Sequence, residues 1–407
     1  MRRLTYRVLA PLCAIGVAVV TLQCGLLGAP GGYSSGGDDP GDAQGDASAF
    51  GDGPGRPDAV VLPDGDVPGA IGTLTLMAGE RDPTSADDDP AWSADAWSGI
   101  VDANGAIASW RIDKSAPLVG SFDSAGLVGN KWVMINVGFG LNGVRGTAIQ
   151  QTSWVPGIAG DWKAGRANGA PGGLDEATRA FVGSRLTYVG GTRTVAVDGG
   201  TNTFFTTELH IAAVDPTANT LGPSTDTAVQ LLHQRSRAGA LLSDGHLYVV
   251  GGRAPVQGGL TSSVEQAKVD VAAGMFEAFA DQPGLKVGAT DHKVSTPALV
   301  AASGYLFVSG GRVSGTGTPT DVVLSSKIDR ATGALGEFQS LTKLPKPLRD
   351  HAFVAFKGRL YVAGGASTTN RTDEVWSAAI NSDGTIGTWE ANAKLPGARS
   401  DFVALTY

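Results

Sequence analysis

Short apolar runs recur along this chain, and almost all of them end in glycine. Six stand out: LTLMAG (74–79), WVMINVGFG (132–140), LTYVGG (186–191), LYVVGG (247–252), LFVSGG (306–311) and LYVAGG (360–365). Their composition is that of strands buried on both faces, and no extended stretch of the chain shows the 3.6-residue apolar period of an amphipathic helix. The stretch 349–407 displays one whole unit. HAFVAF (351–356) and RLYVAGG (359–365) flank Lys357-Gly358, and EVWSAAI (374–380) and TIGTW (385–389) flank Asp383-Gly384. Glycine takes up φ > 0 at little cost, so both dipeptides predict hairpin turns and the four runs predict one antiparallel sheet.

The unit then starts again and stops. DFVALTY (401–407) repeats the pattern of HAFVAF, while at the other end GTLTLMAG (72–79) reads like GRLYVAGG (358–365). AWSGIVDANGAIASW (96–110) aligns without a gap on VWSAAINSDGTIGTW (375–389). The expectation is an all-β ring over 72–407 in which a C-terminal first strand pairs with an N-terminal second strand, so that no raw sheet edge remains. Six first strands and six second strands, spaced by about 50 to 60 residues, predict six blades.

These residues resemble the kelch superfamily: an apolar strand closing on a Gly-Gly doublet, a following strand with a late Asp, and an aromatic near the end of the unit, here Trp110, Trp162, Phe338 and Trp389. The tyrosine that usually follows the doublet is missing, and the first two repeats lack the doublet itself. The resemblance implies a six-bladed kelch-like β-propeller. It leaves activity open, because such propellers host binding modules, epimerases and oxidases alike.

Before the repeats, 1–7 is basic, 8–22 is apolar and Cys24 follows, the order of an export signal. The cysteine resembles a bacterial lipobox, although Thr21-Leu22-Gln23 departs from the usual pattern. Lipid attachment at Cys24, with anchoring to the outer membrane, is the first reading of 1–24; cleavage near Ala29 with release to the periplasm or medium, or a retained anchor, is the second. Residues 25–71 are rich in Gly, Asp and Pro and predict a disordered acidic tether. Cys13 and Cys24 are the only cysteines, so the body after them has no thiol chemistry. A net charge of −8 argues against nucleic acid.

Two sets of residues are candidates for function. In six-bladed rings the second-to-third and fourth-to-first loops share one face. On the former, Arg81, Arg193, Arg253 and Arg312 follow their glycines and suit a basic collar for carboxylate or phosphate, or else ion pairs between blades. On the latter stand His292 beside Asp291, Arg349-Asp350-His351, Arg399 with Asp401, and Arg235 with Arg237. His beside Asp suits acid–base chemistry, but Arg and Asp also serve as staples between blades. The loop 80–95 is longer than its counterpart in the last repeat and carries Trp92, a residue for stacking on a sugar or partner, or for covering the blade edge.

Several chemistries are closed. A copper site of the galactose-oxidase kind needs a cysteine that is absent, and HExxH, Walker, GxSxG and Asp-box motifs are missing. No metal or cofactor is expected. The residues favour a cell-envelope binding module, with an unknown protein or glycan at the channel-mouth face and the membrane reached through the lipid anchor. The alternative is an extracytoplasmic carbohydrate-active enzyme of the kelch-type mutarotase or epimerase kind.

Overall fold

Three hairpins open on the same turn. Asp244-Gly245, Ser303-Gly304 and Lys357-Gly358 hold both residues at positive φ (46° and 74°, 53° and 81°, 46° and 76°). This is the turn whose twist matches that of paired strands. The computed structural model describes residues 70–77, 79–81, 93, 95–113, 122–128, 131–139, 145–155, 158–167, 171, 174–198, 200–256, 259–401 and 403–406. Cys24, the tether up to residue 69 and Trp92 lie outside the described residues. Among the described residues there is no α-helix.

We name most sheets by the aromatic residue of the second strand. The Tyr361 sheet runs Ala352–Phe356, Arg359–Ala363, Val375–Ala379, Glu390–Ala391. The Phe307 sheet runs Ala298–Ala302, Tyr305–Ser309, Val323–Lys327, Gln339–Ser340. In the Tyr248 sheet, Gly239–Ser243, His246–Val250 and Val264–Asp270 carry both Met275–Phe276 and Ala280–Gln282 on the outer edge. The Tyr188 sheet runs Thr178–Val182, Arg185–Val189, Leu209–Asp215, Thr220–Asp226. Its outer strand pairs in parallel, through Thr220↔Arg166 and Leu221↔Ala167, with the outer strand of a further meander of Phe122–Val128, Lys131–Phe139, Arg145–Val155 and Ile158–Ala167. Two repeats expected to be separate are thereby joined at their rims.

The last sheet is a seam. Ala70–Met77, Ala96–Asp102 and Ile107–Asp113 come from one end of the chain, and Val403–Thr406 from the other. The join is antiparallel, from Leu74↔Thr406 to Met77↔Val403. Its apolar residues are fully inside: Leu74 and Leu76 are 1% and 2% exposed, and such burial stabilises by roughly 1.5–3 kcal/mol per side chain.

The first strands stand side by side in sequence. Phe122–Val128 neighbours Thr178–Val182, then come Gly239–Ser243, Ala298–Ala302, Ala352–Phe356 and Val403–Thr406, which returns to Phe122–Val128. No sheet closes on itself; apolar cores fill the spaces between consecutive sheets. One hydrogen bond recurs across these spaces. Tyr248 Oη donates to Gly333 O of the next sheet at 2.8 Å, and Tyr361 Oη to Gly105 O of the seam sheet at 2.9 Å. Phe307 has no hydroxyl, and there Ser325 Oγ donates to Gly384 O at 2.9 Å instead. The contact into the seam is the contact made between uninterrupted sheets.

One expected strand is displaced. The paired fourth strand of the Tyr361 sheet is Glu390–Ala391, and TIGTW (385–389) meets the end of the third strand through the single bridge Ile380↔Ile386, with Gly387 N donating to Ala379 O at 2.9 Å. Trp389 Nε1 donates across to Thr342 O at 3.3 Å, which draws this segment toward the neighbouring sheet. The matching Trp110 donates to Ala393 O at 2.9 Å but stays in its ladder.

Candidate functional site

In an antiparallel four-stranded sheet the second and fourth strands finish at the same end, so their outgoing connections gather there. Two residues before each described first strand from Thr178 onward, the chain places a non-glycine residue at positive φ: Glu176 (54°), Arg237 (50°), Thr296 (47°), Asp350 (55°) and Asp401 (54°). Such a conformation costs of order 1 kcal/mol or more, and its repetition marks a built feature. Neighbours are tied through the backbone: Arg237 N donates to Glu176 O (3.0 Å), Thr296 N to Arg237 O (2.8 Å) and Asp401 N to Asp350 O (3.0 Å).

The Gly-Gly doublets sit directly against this row. Gly365 and Gly311 both have φ of +97°, and a Cβ on them would lie 2.6 Å from His351 Cβ and 2.8 Å from Ser295 O. The residue touching the second glycine of each doublet is Ala177, Ala238, Pro297 or His351, in that order along the chain. His351 is therefore a wedge at a place where other repeats use alanine or proline. Its ring also blocks a Cβ on Gly310, and Nε2 is hydrogen-bonded to Ser309 Oγ at 2.6 Å. Complete burial pushes its pKa down to about 4 against the opposing pull of Asp350, so it is neutral at pH 7.

Two carboxylates on the row each hold two guanidiniums. Glu176 accepts from Arg237 at 2.6 Å, from Ser236 Oγ at 2.9 Å and, more loosely, from Arg253 at 3.3 Å. Asp350 Oδ2 accepts from both Arg312 and Arg349 at 2.6 Å, while its Oδ1 is buried with no hydrogen-bond partner among the described residues. Asp401 follows it. Burial foremost, then the charges of Asp350 and Glu80, push the Asp401 carboxyl well above the ordinary carboxylate range, against the opposing pull of Arg312 and Arg349. Farther out, Glu80 pairs with Arg371 at 2.6 Å.

The other predicted residues are dispersed. Arg193 pairs with Glu208 at 2.6 Å, which holds that carboxyl below its usual range, and Glu208 in turn meets His210 at 2.9 Å. Arg81 is half-buried next to Glu80. Arg399 reaches Asp95 at 2.6 Å and lies over the Trp97 ring, 4.8 Å from its centroid. Arg235, at the equivalent place, is wholly buried and pairs with Glu265. His292 does not align with His351, because a short hairpin of Lys286–Val287 and Thr290–Asp291 is inserted there and Thr296 takes the position that Asp350 has in its repeat. Sequence reasoning passed over Glu176, Glu80 and Arg371. The signal for Glu176 was its position two residues before a first strand.

Among solved structures, 301 chains match this one. One is the structure of YjhT, a kelch-type propeller protein, at TM-score 0.55 and 11% identity, covering 81% of this chain and 99% of that one. The fold is that of a β-propeller. No family model and no curated protein sequence matches the chain. On this propeller the row from Glu176 to Asp401 is the inner lining at one end, and the loops bearing Arg253 and Arg312 surround it.

Proposed function

We propose that the chain is a six-bladed, kelch-like propeller, carried on an acidic tether from a lipidated Cys24, that works as a binding module of the cell envelope through its mouth face. The return of the first strands to their starting point, and the seam in which Val403–Thr406 completes the first sheet, support six blades closed by the two chain ends. Under this reading residues 1–24 are the signal, 25–71 the tether with its last two residues drawn into the first strand, and 72–407 the propeller. Replacement Cys24→Ser releases the protein from the membrane fraction if the anchor is there.

One observation favours binding over catalysis. The polar residues best suited to acid–base work are under the surface, with Asp350 at 4%, His351 at 5%, Arg399 at 5% and Asp401 at 3% exposure. An acid or base has to come within hydrogen-bond reach of its substrate, and these are taken up by protein groups: Asp350 by Arg312 and Arg349, His351 by Ser309 and Arg399 by Asp95. Apolar surface is what this end offers instead. Of the eight large apolar residues exposed among those described, Val195, Val197, Phe204, Leu232, Val256, Val287 and Val313 are on second-to-third or fourth-to-first connections, and only Met275 is at the opposite end. Their gathering on the connections at one end suits an interaction face.

The test is capture from envelope extract by immobilised protein. The triple variant Leu232→Ser, Val256→Ser, Val313→Ser loses its captured set, whereas Met275→Ser keeps it; the reverse pattern, or catalysed interconversion of sugar anomers followed by NMR, overturns the reading. The enzyme alternative rests on Asp350 and Asp401, two carboxyls joined through the backbone on neighbouring blades, and requires that Asp401→Asn abolish such turnover.

A further inference from the structure

One insertion breaks the repeat. Between the second and third strands of the Tyr188 sheet the chain leaves as Thr192–Val197 and returns as Gly200–Phe205, a ribbon paired from Thr192↔Phe205 to Val197↔Gly200. A third strand, Leu174–Asp175, supports only its base, through Thr192 and Arg193. Arg193 is fixed there by Glu208, so the ribbon has a rigid root and a free outer part. From Thr194 to Phe204 every residue described is exposed.

The ribbon's two faces differ. Residues opposite one another and residues two apart share a face, so the pairs Arg193↔Phe204, Val195↔Asn202 and Val197↔Gly200 put Val195, Val197 and Phe204 together. They are 49%, 43% and 53% exposed. The other face carries Thr194, Thr201, Thr203 and Ala196. Other outer edges among the described residues are short or charged: Met275–Phe276, Gln339–Ser340 and Glu390–Ala391 have two residues each and Ala280–Gln282 three, while the seven-residue edge Ile107–Asp113 carries Arg111 and Asp113. Gly200–Phe205 has six, with no proline and no charge, and pairs on one side only. Long, uncharged edges are what proteins ordinarily avoid, because they offer a ready row of N–H and C=O groups to another strand.

We propose that the Gly200–Phe205 edge takes up an extended peptide segment of a partner protein as an additional strand, with apolar side chains at alternate positions laid beside Phe204 and the Val195–Val197 face. This rests on the binding reading above and specifies its ligand as polypeptide. The open ladder supplies main-chain bonds, and the period-two apolar face supplies selectivity, the two ingredients of strand addition. Insertion into a bilayer is disfavoured by Asp198 at the tip and by the absence of lysine from the ribbon.

A fluorescent peptide of alternating valine and threonine with flanking lysines is titrated into the full-length protein. The expected result is saturable binding that falls at least tenfold with Val195→Ser plus Phe204→Ser, at an unchanged melting temperature, and is lost when alternate peptide amides are N-methylated. Equal binding of the methylated peptide shows apolar contact without a ladder and overturns the proposal. So does absence of binding, a concentration-dependent dimer in light scattering abolished by the same double variant, or co-sedimentation of the ribbon with anionic phospholipid vesicles in place of peptide. If the ribbon variant still captures its partners from extract while the Leu232, Val256, Val313 variant does not, the binding reading stands and this inference alone fails.

Discussion

Glu176 and Asp350 occupy the same place in two blades, at the same strained backbone angle, and each is gripped by two arginines, yet their surroundings make them different groups. Beside Glu176 the next residue of the row is Arg237, a cation, and the second arginine, Arg253, is 45% exposed at its side chain. Beside Asp350 the next is Asp401, and Arg312 and Arg349 are 8% and 19% exposed. One pair of guanidiniums serves one carboxylate; the other stands beside a pair of acids, in one of which burial raises the carboxyl's proton affinity. The same scaffold position is thus a partly exposed ion-pair cluster in one blade and a more deeply buried one in the other.

The largest effect that tests this contrast is removal of the carboxylates. Asp350→Ala removes the buried carboxylate that Arg312 and Arg349 share and is expected to cost about 3–5 kcal/mol, the range for breaking a buried pair. Glu176→Ala, with Arg253 already reaching water, is expected to cost about 1–3 kcal/mol. Urea denaturation of both variants measures the gap; equal losses mean that the two sites are not physically distinct.

The second test uses acid. His351 has a folded pKa of about 4 against 6.5 unfolded, so the folded state binds fewer protons between those values. Its contribution to stability is full above pH 6.5 and is lost as pH falls toward 4, by about 3 kcal/mol at most, at 1.36 kcal/mol per unit. The variant His351→Gln is expected to flatten the decline of melting temperature with acid. A profile unchanged by the substitution refutes the wedge as the acid-sensitive element. No histidine stands at the corresponding place near Glu176, where Ala177 is the wedge.

Much of this architecture was legible in the sequence. The six glycine-ended runs located the second strands, and the gap-free match of 96–110 to 375–389 anticipated which ends would pair. Local signals sufficed because turn chemistry and doublets are fixed by backbone sterics. The positive-φ row was not legible, since Glu176, Arg237, Thr296, Asp350 and Asp401 share no side-chain chemistry and only their register betrays them. The Asp291-His292 pair misled for the converse reason: its chemistry resembled that of Asp350-His351, but an inserted hairpin put it out of register. The Thr192–Phe205 ribbon was hidden in a stretch that reads as a polar loop, because Val195, Val197 and Phe204 come together on one face only once its two strands pair.

Asp401 gives a smaller effect of opposite sign. Its carboxyl titrates above the unfolded value of 3.8, so here the folded state binds more protons. Stability from this group is therefore full below about that pH and declines as pH rises through the folded pKa. Asp401→Asn keeps the shape, carries no charge and is expected to remove this decline, so that its stability changes less than the parent's as pH rises above 3.8. A variant that is less stable than the parent across this range means that Asp401 is ionised, and the contrast with the Glu176 side then disappears.

The smallest effect belongs to the outer arginines and compares them directly. Arg253 stands 3.3 Å from Glu176 with its side chain nearly half in water, and Arg237 already satisfies that carboxylate at 2.6 Å. An exposed pair of this kind contributes about 0–1 kcal/mol. Arg253→Ala is accordingly expected to move the denaturation midpoint hardly at all, and raising salt should not widen the difference. Arg312 is the same residue one blade on, yet it is buried against Asp350 and next to Asp401. Its loss leaves Arg349 to offset two acids, so Arg312→Ala must raise the pair's hold on protons or lose stability. Since protonation is the easier escape, the variant's deficit is expected to grow from pH 5 to pH 8, while that of Arg253→Ala stays flat. Parallel profiles for the two variants would mean that the channel's two sides share one electrostatic environment after all.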